Sequence, residues 1–230
     1  MGPILRAFAL LVICTPLWAA GGLASLAGFS EQNSATGLRE ALTQGAGRAV
    51  DLLGRRDGFL ANPKVKIPLP EALEKAEPLL RMTGRGKDLD ELVTAMNRAA
   101  EAAVPEARSL LVNAVKQMSV QDAKNILTGG DDSGTRYFRQ HTEGRLTELF
   151  LPVVKRSTDR LALAGQYNAL AGQAATFGLL KAEDAQIEGY VTRKALDGLY
   201  LLIAEEERAI RANPVEAAGT WAKRIFGALK

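Results

Sequence analysis

The sequence holds very few of the side chains that bind transition metals. Its 230 residues include one cysteine, Cys14, and one histidine, His141. Zinc sites draw on several cysteine or histidine ligands, and the Glu-x-x-His pairs of helical di-iron proteins need at least two histidines. We therefore predict neither a metal site nor a metal cofactor, and we expect His141 to be a partly exposed helix residue.

Common catalytic and phosphate-binding motifs are also missing. No G-x-S-x-G nucleophile elbow occurs, so a nucleophile–histidine–acid triad would have to use His141. The glycine-rich turn in "TGGDDSGTRYFRQHT", residues 128–142, follows a predicted helix and carries aspartates, whereas a phosphate loop follows a strand and carries a lysine. These absences predict a protein that is not an enzyme and uses no cofactor.

Aromatic residues are scarce and charge of either sign is not concentrated. Aromatics make up 6% of the chain, and the formal net charge is +3. Such a small and well-mixed charge argues against a nucleic-acid partner. Alanine and leucine fill the apolar positions, and together with Glu, Lys and Arg they are good helix formers, so the composition favours an all-α fold.

Residues 1–24 have the pattern of a secretory signal peptide. The basic residue Arg6 precedes an uncharged, largely apolar run that lasts until Glu31. Pairs of small residues suited to signal-peptidase cleavage recur between positions 19 and 27, so we expect cleavage there and export of the protein. The exported chain would then have no cysteine and no disulfide, and its core alone would stabilise it.

The apolar run could instead remain as an uncleaved anchor in the inner membrane, because its length suffices to span a bilayer. Pro16 and the pair Gly21-Gly22 interrupt its helical pattern and favour cleavage. With the signal removed, we expect no stable membrane span.

The remaining chain, 34–230, shows apolar residues at helical spacing and predicts a single all-helical domain. Ser34 is the expected cap of a first helix that ends at Gly54. Ser119 and Asp122 resemble a capping box. Two further helices are predicted, one of small residues from "LAGQYNALAGQAATFG" at the centre of the bundle, and a last one carrying Trp221, Ile225 and Phe226.

Prolines punctuate this pattern. Long helices are predicted to be kinked or broken at Pro78, Pro105 and Pro152, one of these helices beginning near Asp88. Residues 55–70 contain three more prolines and alternate apolar with polar positions. Since proline excludes a central strand, we expect an extended proline-rich segment laid across the helices.

One candidate site precedes Pro105, in "MNRAAEAAVPEA". Asn97 and Glu101 are four residues apart and share a helix face, with Arg98 beside them among alanines. They could form a polar ligand pocket. The alternative is a buried hydrogen-bond network that fixes the register of the helix.

A second candidate is the glycine-rich turn. Gly129 or Gly130 is expected to take the positive φ of a helix C-terminus, and Asp131, Asp132 or Ser133 to cap the next helix.

The same turn could bind calcium or a polar ligand weakly through Asp131 and Asp132. Against an EF-hand, Arg136 and Phe138 stand where oxygen ligands should fall. Arg136 and Arg139 could also join a surface for an anionic ligand or a lipid headgroup, whose other members would be Arg55, Arg56, Lys64 and Lys66. The run 205–207 of three glutamates looks by contrast like an ordinary solvated helix face.

Ordered blocks of sequence suggest a family. These blocks are "DGFLANPKVKIPLPEALEKAEPLLR", "MNRAAEAAVPEA", "AKNILTGGDD", "TRYFR", "FLPVVK" and "GYVTRKALDGLYLLIAEEERAIR". Over about 37–212 the chain resembles the bacterial domain-of-unknown-function family 4197. The resemblance implies an exported helical protein of Gram-negative bacteria, and it carries over no activity, substrate or catalytic residue.

From these observations we predict a non-catalytic periplasmic protein of the cell envelope. Its expected ligand is lipidic or amphipathic, held in an apolar cavity behind the breaks at Pro105 and Pro152. The alternative is a module that binds an envelope protein through an exposed apolar patch. A carboxylate-dependent enzyme, with Glu101 partly buried in a cleft, is the third hypothesis.

Overall fold

The part of the chain described by the computed structural model, residues 31–176 and 185–213, consists of α-helices joined by turns and short irregular segments. The all-α prediction is therefore confirmed. The predicted signal peptide and the predicted helix around Trp221 lie outside the described residues. The helices are α1 (Glu31–Leu53), α2 (Glu71–Met82), α3 (Gly86–Ala103), α4 (Ala107–Gln117), α5 (Val120–Leu127), α6 (Ser133–Thr158), α7 (Ala162–Thr176) and α8 (Ile187–Ala212).

Helices α6 and α8 form the centre of the bundle. Helix α8 packs against both α6 and α1, and α3 packs against α6 and also contacts α8. Leu196, Leu199 and Ile203 recur at helical spacing on the buried side of α8. Because α8 has helices on more than one side, its buried surface also includes two glutamates, and these need polar partners inside the bundle.

Of the three prolines predicted to perturb helices, only Pro105 lies at a helix end. Helix α3 stops at Ala103, and a short 3-10 turn, Val104–Glu106, leads into α4. Pro78 and Pro152 lie inside α2 and α6, which continue through them, so the predicted interruptions are not observed there. A proline removes one backbone hydrogen bond, and the buried neighbours of Pro152, Phe150 and Val154, hold α6 on both sides of it.

Two helix starts differ from the prediction. Helix α1 already begins at Glu31 within the described residues, so Ser34 lies inside the helix and does not cap it. Helix α3 begins at Gly86 rather than near Asp88. At the start of α5 the prediction is confirmed, because the Ser119 side chain accepts a hydrogen bond from the Asp122 amide and the Asp122 carboxylate accepts one from the Ser119 amide.

The turn between α5 and α6 has a different basis from the one predicted. Neither Gly129 nor Gly130 has a positive φ, and Gly84 is the glycine of the described residues that does. At Gly129 a side chain is excluded by space instead, because a Cβ atom would lie 2.8 Å from the carbonyl oxygen of Asn125. Asp132 occupies the capping position of α6 but makes no side-chain cap hydrogen bond.

Much of the predicted extended segment, residues 55–70, forms turns. Turns occupy 56–61 and 63–65, and 66–70 is the longest stretch of the segment without helix or turn. The apolar residues Val65, Ile67 and Leu69 are buried, so the segment lies across the helices as expected.

Helix α7 is not central, contrary to the expectation from its small residues. One face carries the buried residues Leu163, Tyr167 and Ala171, while Leu170 is 69% exposed. Its small residues therefore allow close packing on one side without requiring neighbours on every side. No helix among residues 31–176 and 185–213 combines the length and hydropathy needed to cross a membrane.

Candidate functional site

The first candidate group, Asn97, Arg98 and Glu101, faces the segment that precedes α2. The Glu101 carboxylate accepts hydrogen bonds from the backbone amides of Phe59 and Leu60, both at 3.1 Å. Its other oxygen pairs with Arg98 at 2.6 Å. Glu101 is 5% exposed, and its charge is thus balanced by one guanidinium and two amides.

Asn97 holds the same segment further along. Its side-chain oxygen accepts the amide of Ile67 at 2.8 Å, and its side-chain nitrogen donates to the carbonyls of Ile67 and Val93 at 2.9 and 2.8 Å. Asn97 therefore binds both polar groups of the Ile67 backbone, as a neighbouring strand would. Asn97 and Glu101 therefore both hold the backbone of residues 59–67 through hydrogen bonds.

Arg98 links Glu101 to a strained turn at Asp57. Its guanidinium contacts Asp57 at 2.8 Å, and Asp57 has a φ of +67°, which is uncommon for a residue other than glycine. The two acids, Asp57 and Glu101, hold the pKa of Arg98 above its ordinary value, the bond to Glu101 contributing most.

The second candidate group does not form one site. Asp132 and Arg136 make an exposed ion pair at 3.0 Å on the first turn of α6, and Asp131 is exposed beside them. Arg139 pairs with Glu143 at 2.8 Å and with Asp197 of α8 at 3.2 Å.

Arg139 also lies over the ring of Tyr200, 4.6 Å from its centroid. Burial raises the pKa of Tyr200 to about 12, and its hydroxyl is hydrogen-bonded to Thr142 at 2.9 Å. No hydrogen bond or ion pair between described residues joins this group to Asn97, Arg98 or Glu101.

The alternative basic surface is also dispersed. Lys64 pairs with Glu205 at 2.9 Å, while Lys66 lines a separate open groove beside α2 and Arg55 and Arg56 are exposed. His141 lies at the surface of α6, where its ring stacks on Tyr137.

Sequence patterns missed the role of Glu207. It lies within the run interpreted as a solvated face, yet it is 4% exposed. It accepts the amides of Gly134 and Thr135 at 2.9 and 2.8 Å, so it caps α6 from another helix. Arg211 neutralises it at 2.8 Å, and the spacing of four residues was the one local signal of this pair.

An apolar concavity suited to a small molecule lies elsewhere, between α2 and α7. It is a groove of about 330 Å³. The wall on α2 is formed by Ala72, Leu73, Ala76 and Leu80, and the wall on α7 by Leu163, Tyr167, Leu170 and Ala171. Neither Pro105 nor Pro152 lines it, so this groove is not the cavity that we predicted behind those two prolines.

Arg85 and Gln166 add polar groups to the groove. Arg85 follows the last turn of α2, where its amide donates to the Leu80 carbonyl at 2.8 Å. Its guanidinium donates to the side-chain oxygen of Gln166 at 2.7 Å and contacts Asp88 at 2.9 Å. This arrangement of an apolar trough with a guanidinium at one end suits an amphipathic molecule.

The signals for this groove were present but scattered. Helix α2 has an apolar stripe with one buried residue, Leu73, and α7 is rich in alanine and glycine. Neither feature specifies that the two helices lie side by side. Among the residues described, no group of three His, Cys, Asp or Glu side chains is placed to hold a metal ion.

Comparison with known proteins identifies a family and no characterised relative. No curated protein and no solved structure matches the chain. One family model matches residues 28–227, nearly the whole length. The chain therefore belongs to the family described as protein of unknown function DUF4197.

Proposed function

We propose that this protein is a non-catalytic, periplasmic helical protein of the cell envelope that binds a lipidic or amphipathic molecule in the groove between α2 and α7. The observation that carries the proposal is the groove itself, about 330 Å³ with apolar walls on both helices. The signal-like residues 1–24 support export to the periplasm, with an inner-membrane anchor as the alternative.

The size and chemistry of the groove support a small ligand. Sites for small molecules are mostly apolar concavities of roughly 300–1,000 Å³ with a few polar groups that orient the ligand. Here Leu170 is 69% exposed beside the groove, although it lies on a helix with a buried face. An apolar chain in the groove would remove such surface from water at about 25 cal/mol per Å².

Native mass spectrometry of the mature protein, purified from the periplasm of a Gram-negative cell, tests this function. We expect a stoichiometric adduct that organic extraction removes and that added dodecanoate restores. Ala76→Trp should fill the groove and abolish restoration. Ala102→Trp, on the exposed side of α3, should leave it intact. A protein that takes up no amphiphile, or takes it up equally after Ala76→Trp, would contradict the proposal.

A second candidate function is docking of an envelope protein on α2. Leu79 and Met82 are 65% and 86% exposed on this helix, and exposed apolar clusters mark interaction sites. Changing both residues to serine should abolish cross-linking to an envelope partner while amphiphile binding persists. Loss of neither property would leave this candidate without support.

The carboxylate-enzyme hypothesis has the least support. Its residue Glu101 is bonded to two backbone amides and to Arg98, and these bonds explain its burial without a substrate.

A further inference from the structure

We infer that the molecule bound between α2 and α7 is a single-chain amphiphile with an anionic head, and that Arg85 binds this head. The inference rests on the proposed function of the groove and specifies its ligand class. It is carried by the position and the hydrogen bonding of Arg85.

Arg85 gives the groove a positive charge. Of the ten described residues that line the groove, Arg85 is the one that is charged at neutral pH, and its neighbour Gln166 is neutral. Asp88, which pairs with Arg85, does not line the groove. A ligand therefore meets a guanidinium without meeting a carboxylate in the lining, which favours a negative over a positive head.

The guanidinium has donors left for a ligand. Its Nε donates to Asp88 at 3.0 Å and its Nη1 donates to Gln166 at 2.7 Å, while its Nη2 lies 2.9 Å from the Asp88 carboxylate. Arginine has five N–H donors, so even if the Nη2 contact uses one donor, at least two remain. The planar fork of these donors matches the oxygens of a carboxylate or phosphate.

Gln166 marks the place of the head group. Its side-chain oxygen is a neutral acceptor that contacts Arg85 from α7 across the groove. An anionic oxygen in the same position makes a stronger, charge-assisted hydrogen bond, so the ligand can displace Gln166. The Arg85 side chain is 33% exposed, and this partial burial reduces the competition from water.

The dimensions of the groove favour one chain over two. From Ala72 to Leu80 the α2 wall is about 12 Å long, at 1.5 Å per residue. The volume of about 330 Å³ is at the low end for small-molecule sites. Both values suit the chain of a fatty-acid-like or lysolipid-like molecule.

Calorimetric titration of the mature protein with probes that share one chain tests the inference. The probes are dodecanoate, dodecyl phosphate, dodecanol and dodecyltrimethylammonium. We expect at least one of the two anions to bind roughly tenfold or more tightly than the alcohol, as for a charge-assisted hydrogen bond. Whether the carboxylate or the phosphate binds more tightly then distinguishes a fatty-acid-like from a lysolipid-like source.

Variants at the head-group end separate this inference from the function on which it rests. Arg85→Gln should reduce anion affinity to near that of dodecanol, with a much smaller effect on dodecanol affinity, because the hydroxyl loses at most one uncharged acceptor bond. Asp88→Asn should keep or increase anion affinity, because it removes the competing carboxylate while Arg85 remains.

Equal binding of dodecanoate, dodecyl phosphate and dodecanol by the unchanged protein, or anion preference that survives Arg85→Gln, would overturn the inference but not the groove. Failure of every probe to bind, or binding that Ala76→Trp does not affect, would overturn the proposed function itself.

Discussion

The Glu207 carboxylate accepts hydrogen bonds from both the backbone amide and the hydroxyl of Thr135, at 2.8 and 2.9 Å, across 72 residues of sequence. It thereby supplies the N-terminal cap that Asp132 does not supply to α6. Gly134 permits the approach, because a Cβ atom there would lie 2.5 Å from Leu42 and 3.1 Å from a Glu207 oxygen.

Glu207→Ala should therefore destabilise the protein by roughly 3–5 kcal/mol, as expected when one partner of a buried ion pair is removed. The change removes the carboxylate that pairs with Arg211, and the amides of Gly134 and Thr135 lose their hydrogen-bond acceptor. Urea unfolding followed by circular dichroism measures the loss. Glu206→Ala is the matched control, because Glu206 pairs with Arg48 near the surface and should contribute at most about 1 kcal/mol. Equal losses of stability from Glu207→Ala and Glu206→Ala would show that Glu207 does not act as the N-terminal cap of α6.

Glu101→Gln should destabilise the fold by roughly 1–3 kcal/mol without changing dodecanoate binding. The amide retains an oxygen for Phe59 and Leu60 but loses the charge-assisted bond to Arg98. Thermal unfolding and titration with dodecanoate measure the two properties, and Glu106→Gln, at an exposed position, is the control. A loss of binding at full stability would instead make Glu101 a ligand-binding residue.

Two glycines should respond oppositely to alanine. At Gly58 a methyl group would lie 2.5 Å from the carbonyl oxygens of Leu52 and Leu53, so Gly58→Ala should cost about 1–3 kcal/mol or more. At Gly144, inside α6, nothing lies within 4 Å, and Gly144→Ala should stabilise by about 0.5–1 kcal/mol through helix propensity. Midpoints of denaturant unfolding compare them, and a neutral Gly58→Ala would show that the turn can relax.

Alkaline pH should destabilise the protein through Tyr200. Burial raises the pKa of its hydroxyl to about 12, while an unfolded tyrosine ionises near 10. The unfolded state therefore loses its proton first, and the stability present below about pH 10 falls as the pH rises toward 12. Spectrophotometric titration should show a tyrosine that ionises near pH 12 and that Tyr200→Phe removes, whereas Tyr137, whose pKa burial also raises, stays in the titration of the variant. If the variant loses stability over this pH range as steeply as the unchanged protein, another group is responsible.

Helix α2 should exchange its amide hydrogens faster than α8. Leu73 is the one buried residue of α2, and the helix lies between Pro70 and Gly84, which has a φ of +81°. Few buried contacts permit local opening. Hydrogen exchange measured by mass spectrometry should show slower exchange in α2 when dodecanoate is bound, and no such change in Ala76→Trp. Strong protection of free α2 would mean that the groove is rigid before binding.

Features determined by residues close in sequence were predictable. The capping box of α5 joins Ser119 and Asp122, three residues apart, and the helix end at Pro105 follows from a missing amide and ring crowding. Apolar spacing likewise placed most helices. The pairing of Asn97 and Glu101 on one face also follows from helix geometry, although their backbone partners do not.

Only the tertiary structure decided which polar residues are buried and where the apolar surface remains open. Glu207 looked solvated because its partners Gly134 and Thr135 lie on another helix. The groove needs α2 and α7 side by side, and Arg85 meets Gln166 across 81 residues. Helical periodicity specifies which face of a helix is apolar, but the neighbour that covers this face depends on how the whole bundle packs.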